Sequence, residues 1–346
     1  MTEARILIAM PLFEGWEHVE QTLLSIQRQT FRDYRVLISV DGGDRRSYEA
    51  CKSFAEDPRI EVVLQNDRLR WEGNINWLAR HLREDYFCYW QHDDHCAPDY
   101  LEVLLDHADR HPEAASVYCD MQHFGTRNDV VRHRSVLGFA LQRVLEQAGR
   151  ANPAAIRCLV RREAMLSALP ITSATTWTIA VARAGELHRI PRVLYFRRNR
   201  PESLGMQMLK MPEDEMLDFT LEYALGVFRH AYPLIQKNEA AQLLAMIADQ
   251  LVNAQIRKRW QVDFAAGPSE LRHQFVERFL TGATAEFDVD PASIDKARDL
   301  LARLSSRAPT PKSGGNRPAS TKKSGFWTRA VRAVWGPARS GRRVRK

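Results

Sequence analysis

The sequence predicts an α/β protein: a mostly parallel sheet flanked by helices, then an α-helical region and a disordered basic tail. Three observations carry this. Short β-rich runs alternate with helix-period segments through the first hundred residues, the pattern of βαβ units. After about Gly205 apolar residues recur at helical spacing with few strand signals. From about Ser305 the chain is dominated by Ser, Pro, Gly, Lys and Arg, too little apolar surface to order itself. The expected boundaries are 1–205, 206–304 and 305–346.

Each element follows from its pattern. Arg5–Met10 reads as a buried strand ended by Pro11. Trp16, Val19, Leu23 and Ile26 lie on one helix face. Tyr34–Val40 is a second strand, closed by the turn Asp41-Gly42-Gly43-Asp44. A helix through Tyr48–Ala55 leads to a third strand, Arg59–Gln65; Asn74–Leu82 is helical and Tyr86–Gln91 is a fourth strand. The loop His92-Asp93-Asp94-His95 follows, then a helix after Pro98 with Leu101, Leu104 and Leu105 on one side. Ser116–Phe124 and Arg192–Arg198 are further strands, with the turn Ile171–Thr176 between them. Pro212–Ile235, Glu239–Arg259 and Glu270–Leu280 are helical. In parallel sheets the loops at the carboxyl ends of strands build the ligand site. Both acidic turns, at Asp41 and Asp93, fall on that edge.

The 346 residues are 45% hydrophobic and 27% charged, which excludes a mainly disordered or collagen-like chain. No window approaches the roughly 18 consecutive apolar residues of a membrane span. The net charge of +7 suggests nucleic acid until it is divided. Arg307–Lys346 holds 12 Lys+Arg and no acid, leaving a body of 38 Lys+Arg against 43 Asp+Glu, a net −5. Specific nucleic-acid binding is therefore not expected of the fold. Five scattered cysteines without a CxxC pair fit a reducing compartment. The N-terminal MTEARILIAMP carries Glu3 and lacks a small-residue cleavage site, so it reads as a strand rather than a leader. A cytoplasmic protein is expected.

Asp93 and Asp94 are adjacent carboxylates beside a buried strand end, an arrangement that favours a compensating cation. A hard divalent ion, Mg²⁺ or Mn²⁺, takes oxygen ligands and completes its shell with substrate phosphates. A solvated strand-to-helix turn capped by Asp94 or Asp99 is the plainer alternative. His92, His95 and Cys96 also raise zinc, but no second ligand cluster accompanies them.

Six segments in order resemble the family 2 nucleotide-sugar glycosyltransferases and their GT-A type fold. These are Met10-Pro11-Leu12-Phe13-Glu14; Ser25 with Gln29-Thr30-Phe31; Val40-Asp41-Gly42-Gly43-Asp44; Arg68–Asn76; Asp93-Asp94 with Pro98-Asp99-Tyr100-Leu101-Glu102; and Ile156–Met165 with Ile190–Ser203. The resemblance covers about the first 205 residues. It implies transfer of a sugar from a nucleotide-diphosphate sugar to a glycan or lipid-linked acceptor, with inversion, in bacterial surface polysaccharide synthesis. It also implies roles. Asp93 is the metal ligand, and Asp41 contacts base or ribose. Pro11, Arg68, Asp94 and Arg198 line the nucleotide-sugar site, Asp94 facing metal-bound water or the donor sugar. Arg70, Arg197, Arg200 and Ser203 are further basic-loop candidates, and Trp71 is assigned to the core. Two departures stand out. Gln91 replaces the first acid of the family's metal motif. Ser173-Ala174-Thr175-Thr176-Trp177 has no acid where the family carries its catalytic base, so no base is named, and a catalytically silent nucleotide-sugar-binding or scaffold protein is the alternative.

In the tail, Phe326, Trp327, Ala330, Val331, Val334 and Trp335 form one apolar helix stripe flanked by Lys and Arg. Such a segment suits an anionic bilayer surface, and too short a helix to persist in water would form on contact. Peripheral attachment to the inner membrane face is expected; a solubilising tail and nonspecific nucleic-acid binding are the alternatives.

Overall fold

The computed structural model describes residues 4–150, 152–200, 212–253 and 269–305. The predicted amphipathic segment 326–335, the rest of the tail and Ser203 lie outside them. Two compact units form. One comprises Met1–Leu137 and Asn152–Ser203, the other Gly138–Ala151 and Leu204–Lys346. The short segment Gly138–Ala151, inside the span expected for the first domain, thus groups with the helical unit.

The first unit is built on one sheet. Its strands are β1 (Ile6–Leu12), β2 (Tyr34–Val40), β3 (Ile60–Leu64), β4 (Tyr86–Tyr89), β5 (His95–Cys96), β6 (Ala114–Gly125), β7 (Val130–Val131), β8 (Cys158–Arg161) and β9 (Glu186–Asn199), ordered β3-β2-β1-β4-β8-β6-β9-β5 with β7 on β6. The half β3-β2-β1-β4 is parallel throughout, as the βαβ pattern predicts. Beyond β4 the sheet is mixed. β8 pairs antiparallel with both β4 and β6, β6 pairs parallel with β9, and β5 pairs antiparallel with β9. Helices α1 (Val19–Gln27), α2 (Arg45–Cys51), α3 (Arg70–Arg80), α4 (Tyr100–Arg110), α6 (Arg162–Ser167) and α7 (Ala174–Ala184) flank it; α5 (Ala140–Arg150) belongs to the second unit.

All seven residues of β1 are buried, which explains its unbroken apolar run: both faces are covered. Successive side chains alternate between faces. Ile6, Ile8, Met10 and Leu12 enter a core with Val19, Leu23 and Ile26 of α1 and Leu101, Leu104 and Leu105 of α4. Leu7 and Ala9 enter the opposite core with Ile75 and Leu78 of α3 and Trp177 of α7. Pro11 does not end β1. It pairs with Ser39, and the strand runs on to Leu12. Proline is tolerated because β1 is bonded to β4 only as far as Ala9, so the missing N–H falls on a free edge. α1 begins at Val19 rather than at Trp16.

The second unit is helical: α5, α8 (Glu213–Ala231), α9 (Ala240–Asn253), α10 (Ser269–Phe287) and α11 (Pro291–Ser305). Tyr223, Val227 and Phe228 of α8, Leu243, Leu244 and Ile247 of α9, and Phe275, Phe279 and Leu280 of α10 are buried. The Phe228 ring meets Phe279 edge-on at 6.3 Å and Phe287 at 5.2 Å, and the Tyr223 hydroxyl donates to the Ala148 carbonyl at 2.7 Å. No sequence pattern above singled out α11. Its signal was a cap: Asp290 accepts from the Ser293 amide at 2.9 Å and from its hydroxyl at 2.7 Å, the side-chain capping that starts many helices. Among the described residues no helix is long and apolar enough to cross a membrane.

Candidate active site

β1 has β2 on one side and β4 on the other. The chain therefore steps outward from β1 to β3 and then returns to the opposite side. Such a switch point opens a crevice at the carboxyl ends of the strands. The Asp41 turn follows β2 and the Asp93 turn follows the other flanking strand, β4, with Pro11 and Leu12 ending β1 between them.

Asp41 is 2% exposed. Its Oδ1 accepts from the Leu69 amide at 2.5 Å and the Gly42 amide at 3.2 Å, and its Oδ2 from the Arg70 amide at 3.1 Å. Asp41 is thus a brace for the loop ahead of α3. Gly42 is required there: a Cβ would lie 2.3 Å from the Asp67 carbonyl carbon. Arg68, carried by this loop, is 60% exposed along its side chain, with Nε 3.9 Å from Asp41 Oδ2. Its guanidinium lies over the Phe13 ring at 4.0 Å, a cation–π contact. Arg70 adopts φ 58°. Trp71 donates from Nε1 to the Tyr89 hydroxyl at 3.1 Å and packs against the second core, the core role assigned from sequence. The Tyr89 hydroxyl in turn bonds Gln91 Oε1.

The second acidic turn is held differently. Asp94 is 1% exposed. Its Oδ1 accepts from the Arg198 amide at 2.7 Å; its Oδ2 accepts from the Tyr195 hydroxyl at 2.8 Å and from Arg157 Nε at 3.2 Å. Burial pushes its carboxyl upward, while Arg157, the Tyr195 hydroxyl and the Arg198 amide pull it back. Both Asp94 oxygens are thus engaged inside the protein, and these bonds hold the turn. Asp93 keeps the outer position, with Oδ2 2.8 Å from Arg200 Nη2. Arg198 Nε donates to the Asp93 carbonyl at 3.2 Å and its Nη2 to Gln21 Oε1 at 2.8 Å, with the guanidinium over Phe124 at 4.7 Å. Arg198 therefore clamps the turn.

Arg197, a basic-loop candidate from sequence, and Arg157, given no role from sequence, complete this electrostatic cluster. Arg157 is 9% exposed. Among the described residues no carboxylate forms an ion pair with Arg197. The Arg157 charge and burial hold Arg197 down at about 10, so it remains charged at neutral pH but unfavourably placed. Four guanidinium groups (Arg157, Arg197, Arg198, Arg200) face two carboxylates (Asp93, Asp94). That surplus suits a diphosphate. The sequence signal was the run Arg197-Arg198, whose tertiary neighbours were not readable.

The Ser25 and Gln29-Thr30 motif gains a physical meaning. Gln29 donates to the Ala97 carbonyl at 2.8 Å and accepts from the Leu101 amide at 3.0 Å. The Thr30 amide donates to the Pro98 carbonyl at 2.8 Å. The buried Gln29 thus latches the segment after the acidic turn onto the end of α1. His92 is buried and held neutral by burial. Gly15 makes room for its ring: a Cβ there would lie 2.5 Å from His92 Cδ2. His95 stacks on Phe196 and Cys96 lies in the core. Among the described residues, the clusters able to hold a metal do not include His92, His95 or Cys96.

The first turn of α7 contains no acid. It presents hydroxyls instead: Ser173 Oγ caps the helix by accepting from the Thr176 amide at 3.2 Å and lies 2.8 Å from Thr176 Oγ1.

A parallel half-sheet with an acidic turn at its switch point, extended by strands that carry a basic loop back over that turn, has the GT-A type fold. Comparison with known proteins agrees. The family model "Glycosyl transferase family 2" matches residues 7–166. S. aureus TarS 1–349 superposes with a TM-score of 0.57 at 10% identity, covering 87% of this chain and 91% of that one. The same protein in complex with UDP-GlcNAc gives 0.56 at 12% identity, with the same coverage. A glycosyltransferase of Streptococcus pneumoniae, GlyA, is 22% identical over 104 residues. That match covers 30% of this chain and about 15% of the curated relative's length. Residues 7–166 are thus similar to glycosyltransferase family 2.

Proposed function

We propose that this protein transfers a sugar from a nucleotide-diphosphate sugar to a hydroxyl of a glycan or lipid-linked acceptor, with inversion and with help from Mn²⁺ or Mg²⁺. The carrying observation is the cluster at the end of β4. There an outer carboxylate, Asp93, is held in place by an inner one, Asp94, beneath four guanidinium groups. The UDP-GlcNAc complex of TarS supports a nucleotide-sugar donor.

Asp93 is the residue to hold the ion. A single outer carboxylate fits Mg²⁺ or Mn²⁺, which are commonly bound through one or two carboxylates plus substrate phosphates. When bound, the ion supplies Lewis-acid stabilisation of the departing diphosphate. Arg197 and Arg200 bind the phosphates and offset the charge that develops on them. Arg68, braced through Asp41, reaches the nucleotide end. Arg198 and Asp94 orient Asp93, and Pro11 lies among the last residues of β1 at the floor of the crevice. The acceptor hydroxyl attacks the anomeric carbon opposite the leaving group.

The test is donor hydrolysis or sugar transfer across a nucleotide-sugar panel with and without Mn²⁺ or Mg²⁺. Turnover that Asp93→Asn abolishes is expected. Full ion-dependent activity in that variant overturns the reading. Tight donor binding without turnover against a broad acceptor panel favours the silent binding protein, a reading motivated by the acid-free first turn of α7.

We further propose bacterial surface polysaccharide synthesis as the setting, with the basic tail attaching the protein to an anionic membrane. Flotation with anionic liposomes tests the attachment. It requires the full chain to float and a chain truncated before Phe326 to stay behind.

A further inference from the structure

A second cluster of chemistry-bearing side chains lies at the other end of β9. His107 and His111 are four residues apart on α4, so their rings share one face and stack with centroids 4.3 Å apart. His188 enters from β9, its ring 5.3 Å from His107 and 5.1 Å from His111. His188 Nδ1 lies 3.0 Å from His107 Nε2. Each histidine offers one ring nitrogen, and the three nitrogens lie within 4.8 Å of one another.

Two of the far nitrogens are engaged as well. His188 Nε2 is 3.0 Å from Glu186 Oε2, and His111 Nδ1 is 3.0 Å from Glu113 Oε1. A metal-ligating histidine has this pattern: one nitrogen on the ion, the other held by a carboxylate that fixes the tautomer and raises basicity. Tetrahedral zinc, with bonds of 2.0–2.1 Å, sets its ligand nitrogens about 3.3 Å apart, close to the spacing of His107 and His188. Three imidazoles so close would repel if protonated; an ion bound to their neutral forms removes that conflict.

The cluster is separate from the donor site. β6 and β9 register Ala114 against Glu186, so Glu113, Glu186 and His188 sit at the amino edge of these strands. Arg198 lies ten residues further along β9, about 30 Å at roughly 3.3 Å per residue. The donor chemistry also differs. Imidazole suits Zn²⁺, Ni²⁺ or Cu²⁺, whereas oxygen ligands such as those at Asp93 suit Mg²⁺ and Mn²⁺.

We propose that His107, His111 and His188 form a binding site for a divalent transition ion, Zn²⁺ by preference, through His107 Nε2, His111 Nε2 and His188 Nδ1. Glu113 and Glu186 orient the rings, and solvent takes the open position, since His107 and His111 are partly exposed. The ion joins α4 to β9 and stabilises the first unit by binding only its folded form.

The test uses the full chain, stripped by chelator and titrated with Zn²⁺ against a chromogenic chelator, with Co²⁺ absorption as a report of tetrahedral nitrogen ligation. One equivalent of Zn²⁺ is expected, with a rise in Tm. His107→Asn, a change at a partly exposed position, weakens binding at least about 100-fold, and Glu186→Gln weakens it about 10- to 100-fold. Asp93→Asn leaves this equivalent intact. The proposal is overturned if folded wild-type protein binds no stoichiometric Zn²⁺. It is equally overturned if His107→Asn binds as tightly as wild type while Glu113→Gln and Glu186→Gln do not, which places the ion on the carboxylate side of His188.

Discussion

The two acidic turns look alike in sequence and sit on the same edge of the same half-sheet, yet the protein satisfies them by opposite means. Asp41 is held by backbone: three amides, two of them, Leu69 and Arg70, at the start of α3. Asp93 and Asp94 are held mainly by side chains, those of Arg157, Tyr195 and Arg200, with one backbone amide from Arg198, all more than sixty residues away. Backbone amides fix a loop without adding mobile charge. Guanidinium groups bring net positive charge that a phosphate can share. The difference separates a turn that shapes the crevice from one that carries its chemistry.

The sharpest way to break this contrast is Asp94→Ala. It strips the buried Arg157 of this carboxylate and the Arg198 amide of its acceptor, and should cost about 3 kcal/mol of stability in denaturant unfolding. A loss below about 1 kcal/mol would show that the inner carboxylate is not the keystone of the cluster. Asp93→Asn should do the reverse: stability nearly unchanged and transfer reduced about 100-fold or more in kinetics with donor and Mn²⁺. Asp41→Ala should cost about 1–3 kcal/mol because buried amides lose their acceptor, with a smaller effect on turnover than Asp93→Asn; equal kinetic losses would erase the distinction between the turns.

Arg197 offers a subtler probe. In the folded protein it is held down at about 10, so it binds its proton less tightly than in the unfolded chain. Its charge therefore opposes folding at neutral pH, and stability rises as pH climbs above about 10. Arg197→Gln should raise the Tm of the free protein, by about 1 kcal/mol of stability, while weakening nucleoside-diphosphate affinity in calorimetry. A destabilised variant with unchanged affinity would remove Arg197 from the site. The smallest effect is expected at Arg68. Arg68→Ala should leave stability within about 0.5 kcal/mol and raise the donor KM severalfold, because its guanidinium is exposed beside the crevice.

The physics of the half-sheet was legible one residue at a time. β2 spans Tyr34–Val40 as its pattern predicts, because an unbroken β-branched and apolar run ended by Asp-Gly-Gly has few other outcomes. Pro11 misled, since proline ends a strand only where its N–H is needed. The site was legible in part. Asp93 and Asp41 announce themselves as acids at strand ends. The difference in their partners does not, because Tyr195 and Arg198 reach Asp94 through the pairing of β5 with β9, about a hundred residues apart in the chain, and Arg157 arrives just ahead of β8, which pairs with β4.

By itself, then, the amino-acid sequence determined the alternation of strands and helices, the two acidic turns, and a basic tail distinct from an acidic body. Each is written in local periodicity or local charge. Only the tertiary structure decided which aspartate is bonded through both oxygens, which arginine among the described residues forms no ion pair with a carboxylate, and that three histidines from α4 and β9 meet. Those outcomes depend on strand order and register, which bring together residues that no local pattern links.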